Sequence, residues 1–485
     1  MIAILLDDNS FEQDIRELLM AFYPGEAFTH KREEAHEAKF LVKGGKCGCN
    51  FDLSIEDNEG APEDRTVSFA SVKPDFTNRF EAKNLIKRTL YSLLRTRTGT
   101  ELPWGTLTGI RPTKIALTKL QEGHDARWIR NYMRETYFTS DEKISLALDV
   151  AKRELALLEP VNYEKGYSLY IGIPFCPTTC LYCSFTSFPI GKWEGKTKLY
   201  LDSLFREMDY VAEKMKGRPL DTVYFGGGTP TSLNPGDLDA LLCKVEAAFP
   251  TDKVREFTVE AGRPDSITQE KLEVLREHGI TRISINPQTM NQKTLDLIGR
   301  RHTVEDVREK FHLARGLGFD NINMDLIVGL PEETLCDVKN TMEEIKALAP
   351  DSVTVHSLAI KRAARLNMFK ERYGNLKIEN TQEMIDMTAR YAEEMGMNPY
   401  YLYRQKNMAG NFENVGYAAP GKECIYNILI MEEKQTIMAC GAGTTTKVLY
   451  PSENRIERAE NVKEVEQYIS RVGEMMERKE RLMGI

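Results

Sequence analysis

No run of about 18 apolar residues occurs in the 485-residue chain, so the sequence carries no helix of the kind that crosses a bilayer. Its start, Met1-Ile-Ala-Ile-Leu-Leu-Asp-Asp, lacks a basic region ahead of an apolar core, so neither span nor leader is expected and a cytoplasmic location is. Positive charge is also short. The chain has 65 Lys and Arg against 73 Asp and Glu, a formal net charge of -8. Nucleic-acid binding needs clustered cations and is therefore not expected as the main activity. Cysteine is scarce, nine in all, an odd number and mostly scattered, which excludes a disulfide framework. Repeats and low-complexity tracts are missing. With 41% hydrophobic and 28% charged residues, what remains is an ordinary globular chain long enough for two or three domains.

Three cysteines are not scattered. They sit in Tyr170-Ile-Gly-Ile-Pro-Phe-Cys176-Pro-Thr-Thr-Cys180-Leu-Tyr-Cys183, with three residues and then two between them. That spacing suits one tight loop around a [4Fe–4S] cube, which normally takes four thiolates, one per iron. Three ligands leave one iron open to bind a small molecule and pass it an electron, the beginning of radical chemistry. The pair Cys47-Gly-Cys49 lies between Lys43-Gly-Gly-Lys46 and Asn50-Phe-Asp52, which reads as a hairpin turn, with no partner pair at metal spacing nearby. Cys243, Cys336, Cys424 and Cys440 read as small buried residues or bystanders.

From about residue 165 the sequence alternates between short β-branched runs and amphipathic stretches. Strands are predicted over 167–173, 222–225, 256–260, 282–286, 321–328 and 352–358, and helices over 197–215, 237–249, 268–278, 303–317 and 334–348. Several helices start on Thr, Asp or Ser, which cap a first turn. Six strand–helix units imply a parallel sheet, a partial (β/α)6 barrel of TIM type within an α/β chain. The unusual residues then fall at strand ends: the cysteines after the first, Gly226-Gly-Gly-Thr-Pro230 after the second, Glu260 ending the third, Gln288 after the fourth, Asp325 in the fifth and His356 near the end of the sixth. Barrel active sites form at those carboxyl ends.

The chain before the barrel, residues 1–160, reads as a separate α/β domain of unassigned role, followed by the barrel over 165–380 and a substrate-covering region over 381–485. In the first domain, Pro103-Trp-Gly-Thr-Leu-Thr-Gly-Ile-Arg-Pro-Thr-Lys114 reads either as a loop gripping an anion at a helix start or as a packed connector. In the last, the glycine-rich stretches over 403–417 and 438–447 read as loops closing over the barrel mouth.

The cysteine spacing, with an aromatic before Cys183 and Gly-Gly-Gly-Thr-Pro at the second strand, resembles the radical S-adenosylmethionine (SAM) superfamily. The resemblance implies a [4Fe–4S] cluster on Cys176, Cys180 and Cys183, whose open iron chelates SAM, with electron transfer giving methionine and a 5'-deoxyadenosyl radical. The remaining residues then acquire roles. Gly226, Gly227 and Gly228, with Thr229, would let backbone amides approach the methionine moiety. Arg300 is placed to pair with the methionine carboxylate. Asp325 and Gln288 suit ribose hydroxyls, and Glu260 the ribose or sulfonium. Tyr170 is expected as a cofactor contact and catalytic residue beside the cluster. Arg300 or Glu260 taken singly would read as a surface ion pair; position gives them weight.

More narrowly, Gly226-Gly-Gly-Thr-Pro-Thr231, Arg282-Ile-Ser-Ile-Asn-Pro-Gln-Thr289, Gly299-Arg-Arg-His-Thr303 and Asn323-Met-Asp-Leu-Ile-Val-Gly-Leu-Pro331 resemble the oxygen-independent coproporphyrinogen III oxidase family. The segments 107–114 and 404–417 are similar to its HemZ-type, coproporphyrinogen dehydrogenase branch. The implied reaction takes a hydrogen atom from a propionate β-carbon, after which carbon dioxide and one electron leave and a vinyl group forms. Two such steps give protoporphyrinogen IX. A tetrapyrrole substrate and a low-potential donor such as flavodoxin or ferredoxin are the implied partners. Two departures bear on the substrate: Gly172 stands where members commonly have His, and Ser184-Phe185 where some have a fourth cysteine. Relatives with nearly the same barrel bind haem as chaperones, or use SAM to methylate and open haem, and these are the alternative readings. Candidate cations for the propionates are Arg111, Lys114, Arg362, Arg365, Arg404 and Lys406, each also readable as a solvated charge. Tyr170, Phe175, Phe185 and Phe225 would pack beside the cluster or serve as core.

Overall fold

The computed structural model describes residues 1–58, 66–109, 111–185, 187–193, 195–359, 364–373, 375–404, 412–453 and 455–483. The chain divides into two units, one comprising Met1–Lys152 with Arg404–Asn407, the other Arg153–Tyr403 with Met408–Ile485.

In the first unit, strands β1 (Ile2–Leu6), β2 (Phe28–Thr29), β3 (Phe40–Cys47), β4 (Asn50–Asp57) and β5 (Val67–Val72) form a sheet ordered β2-β1-β3-β4-β5. The hairpin predicted at Cys47-Gly-Cys49 is the β3–β4 turn, where Cys47 pairs with Asn50 and Gly48 has φ 60°. Alternation in β3 and β4 turns Val42, Phe51, Leu53 and Ile55 onto helices Glu12–Phe22 and Arg79–Thr98, forming a core with Ile15, Leu19, Ile86 and Leu90.

The second unit holds the barrel. Its strands are β6 (Tyr167–Ile173), β7 (Phe175–Cys176), β8 (Phe188–Pro189), β9 (Leu220–Gly227), β10 (Glu256–Gly262), β11 (Arg282–Ile285), β12 (Ile322–Val328), β13 (Ser352–Ser357), β14 (Asn398–Tyr403), β15 (Asn414–Ala418), β16 (Thr436–Cys440), β17 (Thr445–Tyr450) and β18 (Arg455–Glu460). Eleven form one sheet, ordered β14-β15-β13-β12-β11-β10-β9-β6-β16-β17-β18, and β7 pairs with β8. The six predicted strands lie side by side and parallel. These strands are buried nearly throughout, polar members such as Thr258, Ser284 and Thr354 included. The helices start where the caps indicate: Thr303 and Thr334 form capping boxes with Asp306 and Asp337, and the Asn234, Thr268 and Thr381 side chains each accept from the third helical amide.

The stretches 403–417 and 438–447 differ from their predicted loops. Residues 414–418 are β15, antiparallel to β13, and 436–440 are β16, a seventh parallel strand lying against β6. Both are fully buried. Glycine stands within β15 and just after β16 because close packing requires it. A Cβ on Gly416 would run into the Tyr401 ring, and Gly441, at φ 110°, lies against the Gly172 carbonyl. Residues 405–411 lie outside the described residues.

Candidate active site

A cavity of about 320 Å³ opens at the carboxyl ends of the parallel strands. Cys176, Cys180 and Cys183 line one side with Thr178, Tyr182 and Phe185, and Tyr170, Gly227, Gly228, Thr229, Glu260, Gln288, Arg300 and Asp325 line it too. Gly226 stands just behind. A Cβ there would come within 3.1 Å of both the Tyr170 hydroxyl and Glu260 Oε1.

The cysteine loop is fixed by the fold rather than left free. Phe175 and Cys176 pair with Phe188 and Pro189, the Leu181 amide donates to Ile298 O at 2.9 Å, and Thr178 Oγ1 donates to Gly299 O at 3.2 Å. The end of β9 presses onto its base. Gly228 N donates to Ile173 O and Thr229 N to Phe175 O, both at 2.7 Å, and Gly227 has φ 105°. A Cβ on Gly228 would stand 2.5 Å from Phe175 O, so no side chain fits. The amides of Gly228 and Thr229 are thus bonded within the fold, and the glycines also allow strand and cysteine loop to touch.

Thr229 Oγ1 lies 3.4 Å from Cys176 Sγ. Arg263, which the sequence analysis passed over, donates from Nη1 to Thr178 O at 2.9 Å, Thr178 Oγ1 at 2.8 Å and Cys180 Sγ at 3.6 Å. It follows Glu260 by three residues at the end of β10, so the strand-end rule that selected Glu260 reaches it. Burial pushes the Cys176 thiol up to about 11, with the charges of Cys183 and Cys180 adding and the Thr229 hydroxyl opposing; burial likewise raises Cys183. Three thiolates crowded into one buried loop repel one another, and iron is the counter-charge this donor set calls for. The loop therefore fits a cluster.

Across the strand ends the polar groups are held in pairs. Tyr224 OH donates to Glu260 Oε1 at 2.6 Å, and burial pushes Glu260 up to about 7, with the charge of Asp325 adding. Burial would raise Asp325 too, but His356, whose Nε2 is 3.8 Å from Oδ2, and Asn323, whose Nδ2 donates at 2.7 Å, hold it below the usual carboxylate range. Gln288 has φ 70° between a bond to Asp325 O and one from Ile327 N, a backbone strain unusual for a side chain of its size. Arg300 is buried, donating to Tyr182 OH at 3.2 Å and Asn286 O at 2.5 Å, while its Nε has no hydrogen-bond partner among the described residues.

The opposite wall is aromatic. Tyr401 and Tyr403, stacked at 6.2 Å, come from β14, and Asn427 and Met431 from the helix Ile425–Glu432. Tyr170, Tyr224 and Tyr426 stack face to face at 4.5–6.0 Å. Tyr403 OH lies 3.4 Å from His356 Nδ1. Phe185 lines the cavity and is exposed, whereas Phe175 and Phe225 are core. Gly172 is occupied from above: a Cβ there would collide with Thr444 Cγ2. Of the six cations, Arg365 donates to Thr179 O at 3.4 Å, Arg111, Lys114 and Arg404 belong to the first unit, and Arg362 and Lys406 lie outside the described residues.

The radical SAM superfamily profile matches residues 170–345, the span from Tyr170 to the helix after β12. The chain is 43% identical over 419 residues, 85% of its own length and 83% of the relative's, to the oxygen-independent coproporphyrinogen-III oxidase-like protein HemZ of Bacillus subtilis. The chain belongs to the radical SAM superfamily, in its coproporphyrinogen III oxidase-like family. The cofactors of that superfamily are a [4Fe–4S] cluster and SAM, matching the loop just described. The chain is also 32% identical over 281 residues to the heme chaperone HemW of Bacillus subtilis, covering 57% of this chain and 69% of that one. The solved coproporphyrinogen III oxidase HemN of Escherichia coli shares the fold, with a TM-score of 0.51 at 22% identity over 66% of this chain and 72% of that one. Among the described residues, no helix is long and apolar enough to cross a membrane.

Proposed function

We propose that this chain catalyses the oxygen-independent oxidative decarboxylation of coproporphyrinogen III propionates to vinyl groups, giving protoporphyrinogen IX. The supporting observation is one cavity lined both by the three-cysteine loop and by stacked tyrosines, Tyr170 and Tyr224 from the parallel strands and Tyr401 and Tyr403 from β14. Cys176, Cys180 and Cys183 would hold the cluster. When bound, cluster and SAM supply the radical that removes a propionate β-hydrogen, after which carbon dioxide leaves and one electron passes to an acceptor. Arg300, whose buried Nε has no partner among the described residues, is suited to a ligand carboxylate. Asp325, held below the usual carboxylate range, accepts from hydroxyls, and Glu260, pushed up to about 7 by burial, either accepts or donates. Tyr170, Tyr401 and Tyr403 offer aromatic faces to the pyrrole rings of the substrate and, by lining the cavity, limit water around the reacting carbon.

A haem chaperone is the second reading, favoured by the likeness to the heme chaperone HemW. Anaerobically reconstituted protein given a reductant, SAM and coproporphyrinogen distinguishes the two. Vinyl product with carbon dioxide is the expected result. Tight haem binding with no tetrapyrrole conversion would replace the first reading by the second.

A further inference from the structure

Arg263 is only 4% exposed and makes five polar contacts. Two go to Asp265, from Nε at 2.9 Å and Nη2 at 2.7 Å, a fork that fixes the plane of the guanidinium. The free corner of that plane, Nη1, points at the cysteine loop, where it donates to both oxygens of Thr178 and reaches Cys180 Sγ. The three sulfurs are therefore not equivalent. Cys176 meets a neutral hydroxyl, from Thr229, whereas Cys180 meets a cation.

We propose that Arg263 is a positioning residue that sets the reduction potential of the cluster through Cys180. The inference rests on the assignment of the cluster to Cys176, Cys180 and Cys183. Hydrogen bonds to the ligand sulfurs and the net charge around them are the protein's means of setting such a potential. A guanidinium donating to Sγ withdraws electron density from the thiolate and favours the reduced, more negative cluster, so it raises the potential. Asp265 acts oppositely, cancelling part of the field while holding the fork in place.

The test is a redox titration of the anaerobically reconstituted full chain without SAM, followed by electron paramagnetic resonance, with iron and sulfide counted per chain. Arg263→Gln is expected to shift the midpoint to a more negative value and Asp265→Asn to a more positive one, at unchanged iron content. A purely structural role for Arg263 would change cluster occupancy but not the midpoint of the clusters that form. Wild-type midpoints in both variants at full iron would overturn the proposal. Should Arg263→Gln take up no iron, Asp265→Asn decides it, and a midpoint equal to the wild type's overturns it in the same way. Failure of the wild type itself to bind iron would sink the cluster assignment and this proposal together, and is seen separately.

Discussion

On one side of the cavity, Cys176, Gly228, Glu260, Arg263 and Gln288 all stand where a parallel strand ends and its loop begins; on the other, Tyr401 and Tyr403 come from the antiparallel strand β14, and Asn427 and Met431 from a helix. The first wall is polar and tied into the fold by short hydrogen bonds, and the second is built mainly from faces of rings. A division of labour follows. Under the proposed function, the polar wall would coordinate or ion-pair the cofactor, and the aromatic wall would offer surface to the organic substrate without dictating its polar pattern.

The most severe way to break the comparison is to remove one sulfur. Cys180→Ala is expected to lose cluster absorbance, iron content and SAM cleavage entirely, because a cube bound by two thiolates has lost a protein anchor. Retention of both iron and SAM cleavage would defeat the ligand assignment. On the opposite wall, Tyr403→Ala should leave iron and reductive SAM cleavage intact while weakening tetrapyrrole binding about 10–100-fold, the usual cost of truncating an aromatic anchor. Equal loss of SAM cleavage in that variant would show that the two walls are not separate in function.

The polar wall was largely legible in the sequence, and the aromatic wall was not. Short β-branched and aromatic runs mark the parallel strands, and the bounds expected at 167–173 are those of β6. Glycines, cysteines and carboxylates stand out at the ends of such runs. Tyr401 and Tyr403, by contrast, lie in strand β14 beside β15, and tyrosines in a strand announce nothing beyond packing. Gly416 and Gly441 read as loop residues because the demand for them comes from partners distant in sequence, the Tyr401 ring and the Gly172 carbonyl. Gly172 illustrates the same limit. The sequence records a missing side chain, and only the fold shows Thr444 filling its place.

Behind Thr444 a buried ion pair ties the end of β16 to the barrel. Lys479 Nζ donates to Glu207 Oε1 at 2.6 Å with both side chains at 0% exposure, and Glu207 also accepts from Gly441 N, Asn461 Nδ2 and Tyr468 OH. Lys479→Met leaves Glu207 buried with its remaining donors but no counter-charge, and should lower stability by about 3 kcal/mol. Thermal unfolding measures it, and the double variant Glu207→Gln/Lys479→Met should recover part of the loss. An unchanged melting temperature in the single variant would mean that this network does not hold the β16 side in place.

The subtlest probe lies on the polar wall itself. Glu260 has an ordinary value of 4.5 and is pushed up to about 7, first by burial, so the folded chain favours its protonated form. Its contribution to stability is therefore complete below about pH 4.5 and is lost as pH rises through about 7, amounting to about 1–3 kcal/mol. Glu333, also raised by burial to about 7, acts in the same direction, so the difference between wild type and Glu260→Gln isolates the effect. Melting temperatures of the cofactor-free chain should converge at low pH and separate above it, with Glu260→Gln the more stable at pH 8. Tyr224→Phe refines this further. The Tyr224 hydroxyl stabilises the ionised carboxylate by donating to it, so its removal should move the Glu260 transition upward by about one pH unit. A transition that stays in place would mean that the hydroxyl serves the tyrosine stack and not the carboxylate, and that the aromatic wall reaches this far across the cavity.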